Sequence, residues 1–280
     1  MTRTLEIIAA DPAGNKTIFV TTPVERKDYQ SVASFLLSME EYEAEQVAFI
    51  LPDGSMEMCG MEFCGNASRT YALIKAKQME LSGLQTVTIK VSGCDDPLQV
   101  EVNPETNHTK INMPVPHNVS GYGNDILVDL GGIMHLVTTD KAADPNVFQR
   151  LKKRLVSEFN PPALGVMFYD KDTNKMTPVV YVADVDSTYF EGSCASGTVA
   201  AAAALTSDKP DGDYSFTINQ PKGILTAVIK KRQNSIESVS PSGTFSPYIN
   251  EYSVQYSMFF PKLQSAKPSL NLLLAQFLQN

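Results

Sequence analysis

The 280-residue sequence predicts a mixed α/β (α+β) protein built of two similar halves, each with β-strands wrapped around one helix. In each half a cysteine element opens a helix-like segment, and three strand-like segments follow it. The first of these strands lies at a similar distance in both halves, since Val87 is 23 residues after Cys64 and Phe216 is 22 residues after Cys194. The alternative is coincidence, because strands follow helices in any α/β chain.

The first half places its helix at residues 64–74 and its strands at residues 87–91, 98–102 and 110–113. The first two strand segments alternate apolar and polar side chains, which is the period of a half-buried strand. The helix is mixed in character, with an apolar face and several polar side chains. The pattern of this half therefore predicts one helix followed by three strands that can cover it.

The second half repeats this order, with strands at residues 214–218, 224–229 and 235–239 after the helix that Cys194 opens. Five consecutive alanines at residues 200–204 favour that helix, because alanine has the highest helix propensity. The helix is apolar on all sides, so we expect it to be buried among the strands of its half.

Proline and glycine clusters at residues 114–116 and 121–124 indicate a boundary between the halves. We therefore expect an N-terminal half over residues 1–118 and a C-terminal half over residues 119–250, packed directly on one another. Residues 251–280 are expected to form a strand and a leucine-rich helix that pack back on the body. That helix could instead dock on a second copy of the chain, which leaves a homodimer open.

The chain carries 23 basic and 31 acidic residues, for a net charge of −8 at pH 7. Nucleic acid and anionic lipid are bound by clustered Lys and Arg, so this balance argues against both as partners. Basic runs at residues 152–154 and 230–232 are short and indicate a solvated helix face or strand end. The N-terminus lacks the apolar run of a signal peptide, and no stretch reaches the ~18 apolar residues of a membrane span. We therefore expect a cytoplasmic protein.

The four cysteines and three histidines do not suggest a metal site. Thiols stay reduced in the cytosol, so structural disulfides are not expected either. Cys59 and Cys64 have no second cysteine or histidine pair at the spacing of zinc ligands. His108, His117 and His135 are scattered, and we interpret each as a surface residue or a hydrogen-bonded core residue.

Cys64 and Cys194 each stand just before a helix start, where the helix dipole favours a thiolate. The free N–H groups of the first helical turn also form an anion site that suits a carboxylate. Two such half-sites facing each other would hold one substrate carboxylate with a sulfur on each side. One thiolate could then remove an α-proton while the other cysteine delivers a proton to the opposite face.

The alternative for each cysteine is a structural role, because a single cysteine at a helix start is more often a small buried residue. The duplicated setting of Cys64 and Cys194 favours catalysis. Cys94 lies at a strand end and is interpreted as inert, and Cys59 lies in a loop. A redox pair of Cys59 and Cys64 is the remaining alternative.

The two cysteine motifs resemble those of the diaminopimelate epimerase superfamily. Phe63-Cys64-Gly65-Asn66-Ala67-Ser68-Arg69 is similar to the first catalytic motif, and Ser193-Cys194-Ala195-Ser196-Gly197-Thr198 to the second. The resemblance covers about residues 5–245 and includes residues 14–15, 220–223 and 240–243. It implies two barrel-like halves, each with a central helix, and an active site between them. It also implies that neither pyridoxal phosphate nor a metal is used.

The residues that grip the distal carboxylate of diaminopimelate in that family are missing here. An Arg shortly before the second cysteine is absent, because this sequence has Val185-Asp186-Ser187 there. Pro178 stands on the strand that carries a substrate-binding Asn in the epimerases, and their Gly-Asn-Pro-His element becomes residues 131–135. We therefore expect a substrate other than diaminopimelate.

A second resemblance, to the histidine racemases of staphylopine-type metallophore synthesis, indicates what that substrate is. It is carried by Glu191 and by residues 11–18, 45–50, 62–67 and 91–94. This resemblance implies racemisation of free histidine. Loss of the Arg agrees with a neutral or cationic substrate side chain.

The expected catalytic acid and base are Cys64 and Cys194. The N–H groups of Gly65, Asn66, Gly197 and Thr198 are expected to bind the α-carboxylate, while Asn15 and Glu45 are carried over from the resemblance. Glu45 has the alternative interpretation of a surface carboxylate that precedes a strand. The residues expected to bind the substrate are Asn15, Glu45, Gly65, Asn66, Ser196, Gly197 and Thr198.

Two other functions fit the same sequence. One is another isomerase of the superfamily, either a diaminopimelate epimerase or a racemase of a different amino acid. The other is a non-catalytic amino-acid-binding protein, against which the paired cysteines argue because binding alone needs no acid–base pair. In each case the expected partner is a small-molecule amino acid.

Overall fold

The computed structural model describes residues 2–183, 186–244 and 249–257. No helix among them is both long and apolar enough to cross a membrane. The leucine-rich helix expected at residues 269–278 lies outside the described residues. The α-helices are α1 (Tyr29–Leu37), α2 (Gly65–Gln78), α3 (Pro145–Phe159) and α4 (Ala195–Thr206). The strands are β1 (Thr2–Ala10), β2 (Thr17–Val20), β3 (Gln46–Ile50), β4 (Met56–Met58), β5 (Gln85–Ile89), β6 (Leu98–Asn103), β7 (His108–Ile111), β8 (Asn118–Tyr122), β9 (Asp125–Asp129), β10 (Met134–Thr138), β11 (Ala163–Asp170), β12 (Lys175–Val182), β13 (Ser187–Phe190), β14 (Gly212–Gln220), β15 (Gly223–Arg232), β16 (Ser235–Thr244) and β17 (Ile249–Ser257).

These strands form two sheets. The smaller has the order β17-β1-β2-β3-β4, and the larger has the order β5-β6-β7-β16-β15-β14-β12-β11-β10-β9-β8, with β13 paired to β12. Two antiparallel pairings join strands far apart in sequence, β16 with β7 and β17 with β1. The larger sheet therefore runs without interruption from the strands that follow α2 to those that surround α4.

The two central helices and the strands that follow them are confirmed. The six strand segments expected after the cysteines are present as β5, β6 and β7 and as β14, β15 and β16. Helix α2 packs against the first three, and α4 packs against β14, β15, β16 and the neighbouring strands β9, β10 and β11. Each helix is thus enclosed by strands of its own half, as the repeated pattern predicts.

Helix α4 is buried on all sides, as its run of alanines predicts. Ala200, Ala201, Ala202 and Ala203 have no exposed surface, because strands cover every face of the helix. A methyl side chain lets those strands approach the helix axis closely, and a larger one would have to displace sheet backbone. Helix α2 is enclosed to a similar degree although its sequence is more polar, and Arg69 is fully buried within it. The Arg69 guanidinium is held by Asn66 Oδ1, at 3.0 Å from Nη2, and by the Gly243 carbonyl, at 3.3 Å from Nη1.

Lys231 departs from the solvated strand end expected for the second basic run. It is buried, and its ammonium donates hydrogen bonds to the carbonyls of Thr206, Ser207 and Lys209 at 2.9, 3.0 and 2.6 Å. These carbonyls lie at the C-terminal end of α4, where helical carbonyls have no partner within the helix. Lys231 stands on the inward-facing positions of β15, so its long side chain reaches the helix end and neutralises its negative pole.

We expect Lys231→Met to lower the free energy of unfolding by about 2 kcal/mol, because one buried and two partly buried carbonyls lose their charged donor. Urea denaturation monitored by circular dichroism measures this change. The matched control is Lys230→Met, one residue earlier on the exposed face of the same strand, which should change stability by less than about 0.5 kcal/mol. Equal effects of the two substitutions would contradict a specific role for Lys231.

His135 also departs from expectation. It is fully buried on β10, yet neither ring nitrogen finds a hydrogen-bond partner among the described residues. The ring packs tightly over Gly165, where a Cβ atom would lie 2.1 Å from Nδ1. Burial without a partner lowers the pKa of His135 to about 3, so the imidazole is neutral.

Candidate active site

The N-termini of α2 and α4 meet at the centre of the molecule. Gly65 opens α2 and Ala195 opens α4, and a Cβ atom on Gly65 would lie only 2.9 Å from Cβ of Ala195. Glycine at position 65 is therefore what allows the two helix ends to approach. Because each preceding residue is a cysteine, the contact also brings the two candidate catalytic groups to one place.

Both cysteines are N-caps with the same backbone geometry. Cys64 has φ −121° and ψ 109°, and Cys194 has φ −133° and ψ 114°. The sulfur of Cys64 accepts the Ala67 N–H at 3.4 Å, and that of Cys194 accepts the Gly197 N–H at 3.3 Å. This is the N-cap position in which a side-chain acceptor takes a free amide of the first turn. A thiolate at either position is stabilised by that amide and by the helix dipole.

The N–H groups that are free to form the anion site differ in part from those expected. By helix geometry the N–H groups of Gly65, Asn66, Ala195 and Ser196 have no acceptor within their own helices. In place of the last two, Gly197 and Thr198 were expected to contribute, but the Gly197 N–H donates to Cys194 Sγ at 3.3 Å and the Thr198 N–H donates to the Cys194 carbonyl at 2.9 Å. The first two residues of each helix therefore offer free donors.

One cavity of about 150 Å³ contains both cysteines. Its position between the N-terminal ends of α2 and α4 makes it the natural place for a small anion such as a carboxylate. Gly197 and Thr198 are not among the described residues that line it. Seven of the nine residues expected at the site do line it, namely Asn15, Glu45, Cys64, Gly65, Asn66, Cys194 and Ser196.

Glu45 lies in this cavity and not on the surface. Its side chain is 14% exposed and accepts hydrogen bonds from Asn15 Nδ2 at 2.8 Å and from the Gly192 N–H at 3.3 Å. Lys222 Nζ lies 3.4 Å from the other carboxylate oxygen. Burial raises the pKa of Glu45, although these partners oppose the shift. Glu45 therefore joins the strand β3 region to loops from the second half.

The backbone of the two halves is in direct contact beside Glu45. A Cβ atom on Gly192 would lie 2.0 Å from the Gly14 carbonyl oxygen, so only glycine fits at position 192. Asn66 crosses the same boundary, because its Nδ2 donates to the Ser193 carbonyl at 3.0 Å. The side chain of Asn66 is thus engaged in joining the halves, and its backbone N–H is the group left without an acceptor in its own helix.

Two further carboxylates line the cavity, Glu62 and Glu191. Glu191 lies beside the thiol of Cys194, and burial raises the pKa of Glu191 to about 8. Burial, followed by the charge of Glu191, raises the pKa of the Cys64 thiol to about 12. Burial also raises the pKa of Cys194, and the neighbouring Glu191 raises it further, so the thiol holds its proton.

Three residues that shape this site have no role that could be predicted from the sequence. Glu62 and Gln46 lie within the similar segments 62–67 and 45–50, and Glu191 lies shortly before the second cysteine motif. Gln46 Nε2 lies 3.3 Å from Cys64 Sγ. The sequence next to a motif does not indicate which side chain a polar residue will contact. The contacts of these three residues form only when the sheets bring strand ends together.

Cys59 and Cys94 differ in their relation to the site. All four cysteines are free thiols. Cys59 lines the cavity, and burial raises the pKa of its thiol to about 11. Cys94 lies in a turn, where its sulfur contacts the Asp96 carbonyl at 3.4 Å. Cys94 is therefore available as an internal reference for measurements on the cavity cysteines.

Comparison with known proteins gives a consistent set of relatives. Residues 4–246 match the family model described as the histidine racemase CntK N-terminal domain. A histidine racemase of Fusobacterium nucleatum is 32% identical over 83% of this chain and 92% of its own length. A histidine racemase of Staphylococcus aureus is 28% identical over 81% of this chain and 89% of its own. Among solved structures, a Bacillus anthracis phenazine biosynthesis protein of the PhzF family superposes with a TM-score of 0.65 at 14% identity, covering 90% of this chain and 99% of that one, which shows a shared fold.

Proposed function

Because the chain belongs to the histidine racemase CntK N-terminal domain family and is an amino-acid racemase, we propose that it interconverts L- and D-histidine with Cys64 and Cys194 as its two proton-transfer groups. The observation that carries this proposal is the meeting of two cysteine-capped helix N-termini in one cavity. Stereoinversion needs one group on each side of Cα, and the duplicated geometry supplies such a pair.

The substrate carboxylate binds between the helix ends. The free N–H groups of Gly65, Asn66, Ala195 and Ser196 point toward that position, and both helix dipoles favour negative charge there. The acidity of the α-proton depends on how well charge that develops on the carboxylate is stabilised. Preorganised amides stabilise this charge more in the transition state than in the ground state, which lowers the barrier.

The two thiols then exchange one proton with Cα. In one direction the thiolate of one cysteine takes the α-proton and becomes a thiol, while the thiol of the other gives its proton to the opposite face and becomes a thiolate. The reverse reaction exchanges the two roles. Burial raises the pKa of both Cys64 and Cys194, so their thiolates are strong bases, as removal of a weakly acidic proton requires.

The charge of the cavity supports a cationic or hydrogen-bonding substrate. Glu45, Glu62 and Glu191 line it, and Lys222 lies beside Glu45. Those of these groups that are ionised attract the α-ammonium group, and the set would bind an imidazole N–H or imidazolium at the far end. The same residues would repel a second carboxylate such as that of diaminopimelate. Histidine is proposed on this basis and because the relatives at 28–32% identity are named for it.

Chiral chromatography of L-histidine incubated with the purified protein, without added cofactor, tests this function. We expect D-histidine to accumulate until the two enantiomers are equal, and D-histidine to approach the same mixture. Diaminopimelate, lysine and arginine are run in parallel. Faster conversion of one of these would remove histidine from the proposal, and no conversion of any amino acid would contradict the racemase activity itself.

A further inference from the structure

The side chain of Gln46 touches one catalytic sulfur and does not reach the other. It stands at the first residue of β3, with Nε2 3.3 Å from Cys64 Sγ, 2.5 Å from Asn15 Oδ1 and 3.1 Å from Thr17 Oγ1. At Cys194 the corresponding neighbours of the sulfur are the Ser196 hydroxyl at 3.4 Å and the Glu191 carboxyl group. A neutral N–H donor therefore lies beside one sulfur, and a hydroxyl group together with a carboxyl group lies beside the other.

The orientation of the Gln46 amide is determined by a chain of hydrogen bonds that starts at Glu45. An ionised carboxylate only accepts, so Asn15 turns its Nδ2 toward Glu45, at 2.8 Å. The Asn15 oxygen then faces Gln46, which must present its nitrogen. One amide hydrogen is used by Asn15, and the second is left for the Cys64 sulfur and for Thr17. The donor that faces Cys64 is thus fixed by the network.

The other groups around Cys64 oppose or assist its ionisation. Glu191 and Glu62 act against the thiolate, while the Ala67 N–H and Gln46 favour it. Arg69 is buried behind the helix start and interacts favourably with the Cys64 charge. The Ala67 amide has a counterpart at Cys194, the Gly197 amide, so these two N–H groups stabilise the two thiolates to a similar degree. The side-chain groups differ, because the Gln46 amide presents an N–H group to Cys64, whereas the Ser196 hydroxyl, which can donate or accept, lies beside Cys194.

We propose that Gln46 is a positioning residue that orients the Cys64 sulfur in the cavity and stabilises its thiolate, so that Cys64 ionises before Cys194. A hydrogen bond to the charged form of an acid favours that form, and it does so more strongly in a buried site. If the proposed racemase function holds, the enzyme then rests with Cys64 as the base and Cys194 as the acid. One enantiomer of the substrate would then face a thiolate at its α-proton and the other enantiomer a thiol, although the two halves are similar.

Alkylation of Cys64 by iodoacetamide, followed by peptide mass spectrometry, tests this directly on the full chain. Gln46→Leu removes the donor at similar size, and Gln46→Glu replaces it with a carboxyl group. If loss of the donor raises the pKa of the Cys64 thiol by about one unit, about tenfold less thiolate is present at a fixed pH below that pKa. The more basic thiolate is also more nucleophilic, which offsets part of this loss. We therefore expect the alkylation rate of Cys64 to fall about threefold or more in Gln46→Leu. In Gln46→Glu the alkylation rate of Cys64 should fall further, because the new carboxylate places a negative charge beside the sulfur. The rate at Cys94 in the same sample should not change.

The matched control is Gln220→Leu. Gln220 accepts the Cys194 N–H at 2.7 Å and donates to Thr198 but is not in contact with the Cys64 sulfur, so this variant should leave the Cys64 rate unchanged. Unchanged Cys64 rates in folded Gln46→Leu protein would overturn the proposal, as would a loss equal to that in Gln220→Leu. If Gln46→Leu does not fold, the alkylation rate of Cys64 in the nearly isosteric Gln46→Glu tests the proposal, and an unchanged rate there would overturn it.

Failure of the racemase function would be recognised separately. The alkylation rates do not depend on turnover, so a selective effect on Cys64 without any racemisation would support the Gln46 role and reject the enzyme activity. If racemisation is present, the pH profile of kcat/KM should move to higher pH in Gln46→Leu. A purely structural role for Gln46 would lower activity at all pH values without moving the profile.

Discussion

Cys64→Ser and Cys194→Ser should each reduce racemisation by about 10³-fold or more, because a buried hydroxyl is a far weaker acid than a thiol and cannot act as the base. The fold should persist, since serine is a favoured N-cap and its oxygen can accept the same first-turn amide, from Ala67 or Gly197. Initial rates by chiral chromatography measure the loss. Thermal melts of each variant show whether the helices are intact.

The matched control for both variants is Cys94→Ser. Cys94 lies in a turn outside the cavity, so its replacement by serine should leave the racemisation rate at the wild-type value. A wild-type rate in both Cys64→Ser and Cys194→Ser would contradict the two-cysteine account. A large loss in only one of them would support a mechanism with a single catalytic cysteine.

Glu191→Gln should lower kcat by about 10²-fold, because Glu191 is an ionisable group beside a buried acid. Cys194 is buried, whereas Glu191 is half-buried beside it with a pKa raised to about 8, so we expect this carboxyl group to relay protons between that thiol and solvent. An amide keeps the size and loses this capacity. Glu43→Gln, at a carboxylate on the surface that is 71% exposed, is the control and should retain wild-type kcat.

The same variant has a signature in stability that does not depend on turnover. Burial raises the pKa of Glu191 from 4.5 to about 8. Between these values the native state keeps a proton that the unfolded chain has lost, so the free energy of unfolding falls as pH rises through this window. Glu191→Gln should flatten that part of the stability curve measured by urea denaturation. An identical pH dependence in both proteins would contradict the raised pKa.

The central helices could be predicted from sequence because their signals are local. A cysteine followed by small residues, then a helix-length segment and three alternating strands, occurs twice, and each occurrence matches one enclosed helix. Alanines at residues 200–204 alone indicate that α4 is buried on all sides. The expected domain boundaries at residues 118 and 250 stay predictions, since nothing in the strand pairing tests them.

The contacts that could not be predicted from the sequence depend on how the strands pair in the two sheets. Gln46 reaches Cys64 because β3 begins beside the start of α2, and no spacing in the sequence indicates that contact. Lys231 belongs to a short basic run, and only its inward position on β15 turns it toward the end of α4. His135 looked like an ordinary core histidine, but its neighbours offer no hydrogen-bond partner among the described residues.

The central claim is that two groups on opposite sides of Cα exchange the proton, and proton NMR with mass spectrometry in D₂O tests it most directly. With L-histidine as substrate at early times, the account predicts that the D-histidine formed carries deuterium at Cα while the remaining L-histidine still carries protium. The delivering thiol has equilibrated with solvent, whereas the abstracted proton stays on the other sulfur. D-histidine that retains the original proton would show that one group serves both faces, and would contradict the account.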